Sequence, residues 1–223
     1  MIFLHYLSYE TLGDQHINQP FPLVANLPSY RPTSSLYSED HITLVVTNMG
    51  LIMKMSLPNA QPYSFNFPLA ATAFIIIDMQ RDFLEPDGFG SIQCGNPEIF
   101  SSVRGIVPTV QAVLEAARSI EMQVIHTREG HRSDLLDLPA AKKLRQISAS
   151  NGHHTMAIGD KGPMGRLLVR GEWGHDIIDE LAPHPGELVV DKPGKGSFWG
   201  TELHRLLLAR GITHLIFAGV TTE

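Results

Sequence analysis

The sequence predicts an α/β protein, three layers of α/β/α around a mainly parallel sheet. From position 71 onward, short apolar runs alternate with amphipathic stretches, joined by short links. That order is expected of strands connected by crossover helices on both faces. The first run, FIIID at 74–78, is continuously apolar until its last residue, the pattern of a strand buried on both sides. Every run also closes on polar or ionisable residues, which such a sheet gathers along one rim.

Strand one is FIIID, followed by a Gly/Pro-rich loop, EPDGFGSIQCGNP. Asn96 then caps a helix with Pro97 at its first position. The apolar stripe of Val103, Val107, Val110, Val113, Leu114 and Ala117 predicts one helix continuing to about Met122. QVIHT at 123–127 is strand two, and RSDLLDLPAAKKLR at 132–145 a short amphipathic element. A glycine-punctuated region spans 150–174, and HDIIDELA at 175–182 reads as a helix. ELVVDK at 187–192 is strand three. TELHRLLLARG at 201–211 is a helix with Leu203, Leu206 and Leu207 inward and Gly211 as its stop. HLIFAGV at 214–220 is strand four.

Residues 1–68 read differently. Prolines at 20, 22, 28, 32, 58, 62 and 68 break any long helix. Only HITLVVTNMGLIMKM, at 41–55, has the character of a strand pair or a short helix. The expected organisation is a partly irregular N-terminal extension, 1–68, ahead of a domain over 69–223.

Composition narrows the function classes. The 223 residues are 43% hydrophobic, with a net charge of −6 and 17 Lys plus Arg in no basic run. A large core is feasible, and neither a nucleic-acid partner nor an anionic membrane surface is expected. One cysteine, Cys94, excludes an intramolecular disulfide and suits a reducing compartment. The opening MIFLHYL has no basic flank, and no stretch reaches the ~18 apolar residues of a membrane span. The expectation is a soluble, cytoplasmic protein.

The strand ends carry the chemistry. They are Asp78, the trio Thr127, Arg128 and Glu129, the pair Asp191 and Lys192, and the run 219–222. An Asp behind four apolar residues needs a buried partner, and a Lys ending another strand of the sheet can supply it. On these facts alone an ion pair that merely closes the sheet is the better reading.

The flanking segments add to this. IIIDMQRDF at 75–83, VVDKPGKGSFWGTEL at 189–203 and FAGVTTE at 217–223 resemble the isochorismatase-like cysteine hydrolases over roughly residues 69–223. The resemblance implies an isochorismatase-type, Rossmann-like fold with Asp78, rather than Asp82, and Lys192 as catalytic residues. It implies that the last motif runs on into Val-Cys, whose Cys is the nucleophile, and that the Thr221 backbone N–H serves an oxyanion hole. A free thiol titrates near ~8.5, so a carboxylate to take its proton and an ammonium to favour the thiolate are what such chemistry requires. Neither metal nor other cofactor is implied.

Within the family, EPDGFGS, HTREGHRSDLLDLP, GPMGRLLVRGEWGHDI and DKPGKGSFWGTEL resemble the biuret and ureide amidohydrolase branch. That implies a small amide or ureide substrate such as biuret, with Phe83 and Trp199 as pocket walls and Arg128 as a polar contact. Ureidoacrylate, N-carbamoylsarcosine and nicotinamide stand as alternative substrates. Nicotinamidases add a metal site, and Glu129-Gly130-His131 occupies its first position. Residues 164–177 carry arginines where those enzymes have their further histidine motif, so no metal is expected. His131 then reads as a loop or substrate-contact residue, His126 as a satisfied core histidine, and the pair His153 and His154 as solvent-exposed. Cys94, in the loop after strand one, reads as incidental.

The sequence stops at Glu223, before the implied Val-Cys. The family domain runs on with a helix and two further strands, so strand four is expected as a bare apolar edge, and the 223-residue chain as inactive and poorly soluble. Two readings stay open: an incomplete copy of a ureide hydrolase, or a short product that binds ligands or partners without catalysis. A complete protein of this family is expected to form a homo-oligomer. A flavodoxin-like cofactor binder would need a phosphate loop that residues 85–95 do not provide.

Overall fold

A computed structural model describes residues 2–5, 23–25, 42–47, 50–60, 62–149 and 156–221. The strands are β1 (Ile2–His5), β2 (Leu23–Ala25), β3 (Ile42–Thr47), β4 (Gly50–Leu57), β5 (Phe65–Pro68) and β6 (Thr72–Ile77). They continue with β7 (Gln123–Glu129), β8 (Lys161–Gly162), β9 (Gly165–Arg166), β10 (Leu188–Lys192) and β11 (His214–Gly219). The helices are α1 (Arg81–Leu84), α2 (Phe89–Cys94), α3 (Pro97–Arg104), α4 (Val107–Ser119), α5 (Ala140–Ala149) and α6 (Leu203–Ala209).

β6 is the axis of the domain because its side chains bury on both faces. Phe74 and Ile76 pack with Val110, Leu114 and Ala117 of α4 on one side. Ala73 and Ile75 pack with Leu203 and Leu207 of α6 on the other. Successive strand residues point to opposite faces, so one uninterrupted apolar run supplies both interfaces and makes three layers. Each buried leucine contributes roughly 1.5–3 kcal/mol of apolar transfer.

The main sheet runs β10-β7-β6-β11-β1-β2. β10, β7, β6 and β11 are parallel, as the βα alternation predicts. From β6 the chain steps outward to β7 and β10, then returns to the far side of β6 as β11. The order therefore reverses between β6 and β11, which makes their carboxyl ends the topological switch point. Among the described residues no helix is long and apolar enough to cross a membrane.

Several expectations need correcting. The predicted helix over 96–122 is two helices. Asn96 caps α3 as expected, its side chain accepting from the Glu98 and Ile99 N–H groups at 2.9 and 3.3 Å. The chain then breaks at Gly105, and Pro108 sits in the first turn of α4, where its missing N–H costs nothing. HDIIDELA is not a helix but an extended segment with one 3-10 turn, Asp179–Leu181. Its backbone is taken up elsewhere: Arg81 N–H donates to the Asp176 carbonyl at 2.9 Å, and Ile178 N–H to the Met79 carbonyl at 3.0 Å. Nor is β11 a bare edge, because β1 pairs with it antiparallel, Phe3 opposite Phe217 and His5 opposite Leu215. A row of unpaired strand groups is a template for any extended segment, and here the chain's own first strand occupies it.

The segment 41–55 takes the strand-pair option, β3 and β4 joining β5 in an antiparallel sheet. Phe65 and Phe67 of β5 enter the same core cluster as Phe74. α6 starts two residues later than expected and ends at Ala209, two residues before Gly211, which has φ 66. His153 and His154 lie outside the described residues.

Candidate active site

Asp78 is the first residue past β6 and stands at φ 52, a left-handed conformation that a non-glycine residue holds only where its surroundings enforce it. Here its N–H donates to the Thr127 carbonyl at 3.1 Å. Across the switch point, β11 closes against β6 so tightly that a Cβ at Gly219 would lie 2.2 Å from the Ile77 carbonyl oxygen. Glycine at 219, with φ 133, allows Val220 N–H to reach that carbonyl at 3.0 Å. The approach carries Thr221 over Asp78.

The Asp78 carboxylate is fully buried. Its Oδ1 accepts from the Thr127 hydroxyl at 2.8 Å. Its Oδ2 accepts from the Thr221 hydroxyl at 2.5 Å and lies 2.7 Å from Lys192 Nζ. Lys192 is equally buried, and its three ammonium donors find three acceptors: Asp78 Oδ2, the Gly194 carbonyl at 2.9 Å and Glu129 Oε2 at 3.3 Å. Burial pushes the Asp78 carboxyl above its ordinary range, against the opposing pull of Lys192, Thr221 and Thr127. Burial pushes Glu129 the same way, but Lys142 and Lys192 together hold it below the ordinary carboxylate range. The site thus holds two carboxylates of unlike proton affinity around one ammonium. The upward-shifted one is suited to accept and return a proton.

The surrounding residues fix these groups. Gln80 clamps the end of β7, its carboxamide accepting from Glu129 N–H at 2.7 Å and donating to the Glu129 carbonyl at 3.0 Å. Asp82 faces away from the ion pair: its Oδ2 accepts from Leu168 N–H at 2.8 Å, and a Cβ at Gly174 would meet its Oδ1 at 2.5 Å. Asp82 therefore ties α1 to the 160s loop. It is Asp78 that meets Lys192.

The structure brings Asp78, Lys192 and Thr221 into direct contact, while Phe83 and Arg128 contact other groups. Phe83, half-buried on α1, meets Phe89 edge-to-face with ring centroids 6.4 Å apart. Arg128 is gripped by Asp191 at 2.7 and 3.2 Å and by Asp176 at 2.9 Å, because parallel pairing sets Asp191 opposite Arg128. Trp199 is 72% exposed, in the loop after β10.

His131, in the loop after β7, is fully buried, its Nε2 3.1 Å from Lys142 Nζ and its Nδ1 3.4 Å from Asp137 without a hydrogen bond. His126 is buried as expected and satisfied at one nitrogen, Nε2 lying 2.8 Å from Glu187, while Nδ1 has no partner. Cys94 is exposed at the end of α2. Among the described residues no group of three or more His, Cys, Asp and Glu is placed to hold a metal ion.

Four residues given no catalytic role from sequence belong to the site: Thr127 and Glu129, noted there only as strand ends or part of a metal motif, with Gln80 and Lys142. Two of them follow from register alone. Ile77 pairs with Thr127, and Lys192 with Glu129, so aligning the carboxyl ends of the strands would have found them. Gln80 and Lys142 lie in a turn and on α5, where spacing carries no such signal.

Residues 72–223 match the isochorismatase domain. The chain is 32% identical over 167 residues to the ureidoacrylate amidohydrolase RutB of Yersinia enterocolitica, covering 74% of this chain and 70% of that one. A cysteine hydrolase from Pseudomonas syringae superposes with TM-score 0.54 at 27% identity, covering 69% of this chain and 61% of that structure. An isochorismatase family protein from Desulfovibrio vulgaris is 30% identical with TM-score 0.47, over 64% of this chain and 63% of its own. The chain thus spans less than two thirds of either solved structure.

Proposed function

The chain belongs to the isochorismatase family, and from that premise we propose that it hydrolyses a C–N bond of a small ureide or carbamoyl substrate through a cysteine thioester. The observation that carries the reading is the buried Asp78–Lys192 pair at the sheet's switch point, 2.7 Å apart and capped by Thr221. A carboxyl that burial pushes upward beside an ammonium is suited to shuttling a proton.

In this reading Asp78 Oδ2 takes the proton of a thiol delivered from the turn leaving β11, after the Thr221 hydroxyl has swung aside. The thiolate attacks the ureido carbonyl carbon, and the Thr221 N–H binds the oxygen as it becomes negative. Lys192 stabilises the charge on the thiolate side. Asp78 returns its proton to the departing nitrogen, leaving a thioester. Water then attacks the thioester carbonyl, giving up a proton through Asp78 to the leaving sulfur. Phe83 and Trp199 wall the substrate, and Arg128 acts through its grip on Asp176 and Asp191.

Biuret is the substrate suggested by the loop motifs, and ureidoacrylate the one in the name of the Yersinia relative. Both present a carbonyl between two nitrogens. Consumption of each, followed by chromatography on the protein expressed from its whole reading frame, tests the class. Loss of roughly 10²–10⁴-fold in rate is expected for Asp78→Asn, and an unchanged rate would refute the assignment.

The single cysteine of the 223 residues, Cys94, is exposed on α2. That observation favours a second reading for these 223 residues expressed alone, binding of the ureide without turnover. Calorimetric binding of biuret with no product would support it.

A further inference from the structure

We propose that Glu129 is a positioning residue for this site: by bridging Lys192 and Lys142 it keeps the Lys192 ammonium from closing into an exclusive pair with Asp78. This rests on the hydrolytic reading above and adds to it a residue at the end of β7.

The geometry is that of a shared cation. Lys192 Nζ lies 2.7 Å from Asp78 and 3.3 Å from Glu129, with its third donor on the Gly194 carbonyl at 2.9 Å. An ammonium has three donors, so none is left over and the lysine is held centrally. The other oxygen of Glu129 binds Lys142 from α5, and Lys142 in turn lies 3.1 Å from the buried His131. Gln80 fixes the Glu129 backbone through its N–H and its carbonyl. Gly130 N–H also ties the strand end to the Lys192 carbonyl at 3.0 Å.

Among the described residues, Asp78 after β6 and Glu129 ending β7 meet Lys192, with Lys142 of α5 behind Glu129. Two carboxylates and two ammonium groups balance. Without the Glu129 charge, Lys192 would have Asp78 as its one anionic partner. A carboxylate held tightly by an undivided ammonium is a weaker base. Glu129 therefore keeps Asp78 protonatable.

The test compares wild type with Glu129→Gln, which preserves shape and removes charge. Because Lys142 is then left as an unpaired, half-buried cation, Glu129→Gln/Lys142→Met is made alongside to restore charge balance and folding. Two readouts are taken. The first is the titration of the Asp78 carboxyl by carbon NMR on aspartate-labelled protein, assigned with Asp78→Asn. Its midpoint is expected to fall by about 1 pH unit in both variants, the lower end of the shift a neighbouring opposite charge produces. The second is the pH-rate profile with biuret or ureidoacrylate. Its acidic limb is expected to move down equally, with kcat lowered roughly 10-fold and KM little changed.

A merely structural Glu129 would give stability loss in the single variant, recovery in the double, and no shift in either readout. That result would overturn the proposal, as would an Asp78 midpoint within about 0.3 units of wild type, a margin set well inside the shift a neighbouring charge produces. If wild type consumes neither ureide, the hydrolytic reading fails, while the NMR titration still decides whether Glu129 controls Asp78.

Discussion

Replacing Lys192 by Met is expected to make stability fall more steeply with rising pH than it does in wild type. The side chains of Lys192 and Asp78 are fully buried and 2.7 Å apart. At an effective dielectric constant of about 20, that separation is worth about 6 kcal/mol of gross attraction. Desolvation offsets most of this, yet deleting one partner of such a pair costs ~3–5 kcal/mol, because the other charge stays buried.

In Lys192→Met the orphan is Asp78, whose carboxyl burial already pushes upward in wild type. Below the unfolded carboxyl value, near 3.9, the group is protonated folded and unfolded, and its burial carries no ionic penalty. As pH rises through the raised folded value the unfolded state gains, by at most about 1.4 kcal/mol per unit. The variant should therefore lie about 3–5 kcal/mol below wild type at pH 8 and much closer at pH 5. Glu129 does not reproduce this, since it keeps Lys142. Urea unfolding at the two pH values measures the gap, and Asp78→Asn/Lys192→Met should close most of it. A gap under about 0.5 kcal/mol at pH 8, the size of an ordinary surface substitution, or one equal at both pH values, refutes the reasoning.

Other consequences follow from particular contacts. Glu187 joins Arg118 of α4 at 2.7 Å, His126 of β7 at 2.8 Å and the His184 N–H at 2.8 Å. Burial raises the Glu187 carboxyl, but these partners outweigh it and hold it at about 2. Its stabilisation is thus present above the unfolded value near 4.5 and lost as pH falls through about 2, and Glu187→Gln should cost roughly 1–3 kcal/mol in urea unfolding at pH 7. Gly219→Ala should cost at least about 2 kcal/mol by thermal denaturation, since φ 133 and the 2.2 Å approach to Ile77 each penalise a Cβ. Thr127→Val removes the donor to Asp78 Oδ1. It should destabilise by about 1–2 kcal/mol and shift the Asp78 titration further upward, a change that carbon NMR would register.

The four parallel strands and α6 were legible because continuous apolar runs and a leucine stripe have one good burial solution. Asp78 and Lys192 were legible as strand ends, and the resemblance of their flanks to a known family separated them from Asp82. The break at Gly105 was hidden by an apolar stripe that runs across both helices, even though Pro108 marks it. HDIIDELA has helical spacing, but Arg81 and Met79 claim its backbone groups, and only the tertiary fold shows that competition. The pairing of β1 with β11 is likewise a long-range contact, invisible to periodicity. Glu129 was visible at a strand end and was weighed only as part of a metal motif; its place beside Lys192 emerges once β7 and β10 are set in register.

The most direct test of the central claim is the rate of biuret and ureidoacrylate consumption by the whole-frame protein, wild type against Asp78→Asn, across pH 5–9. The account predicts ureide turnover in wild type and a loss of roughly 10²–10⁴-fold in the variant at every pH. Turnover that survives Asp78→Asn undiminished would contradict it.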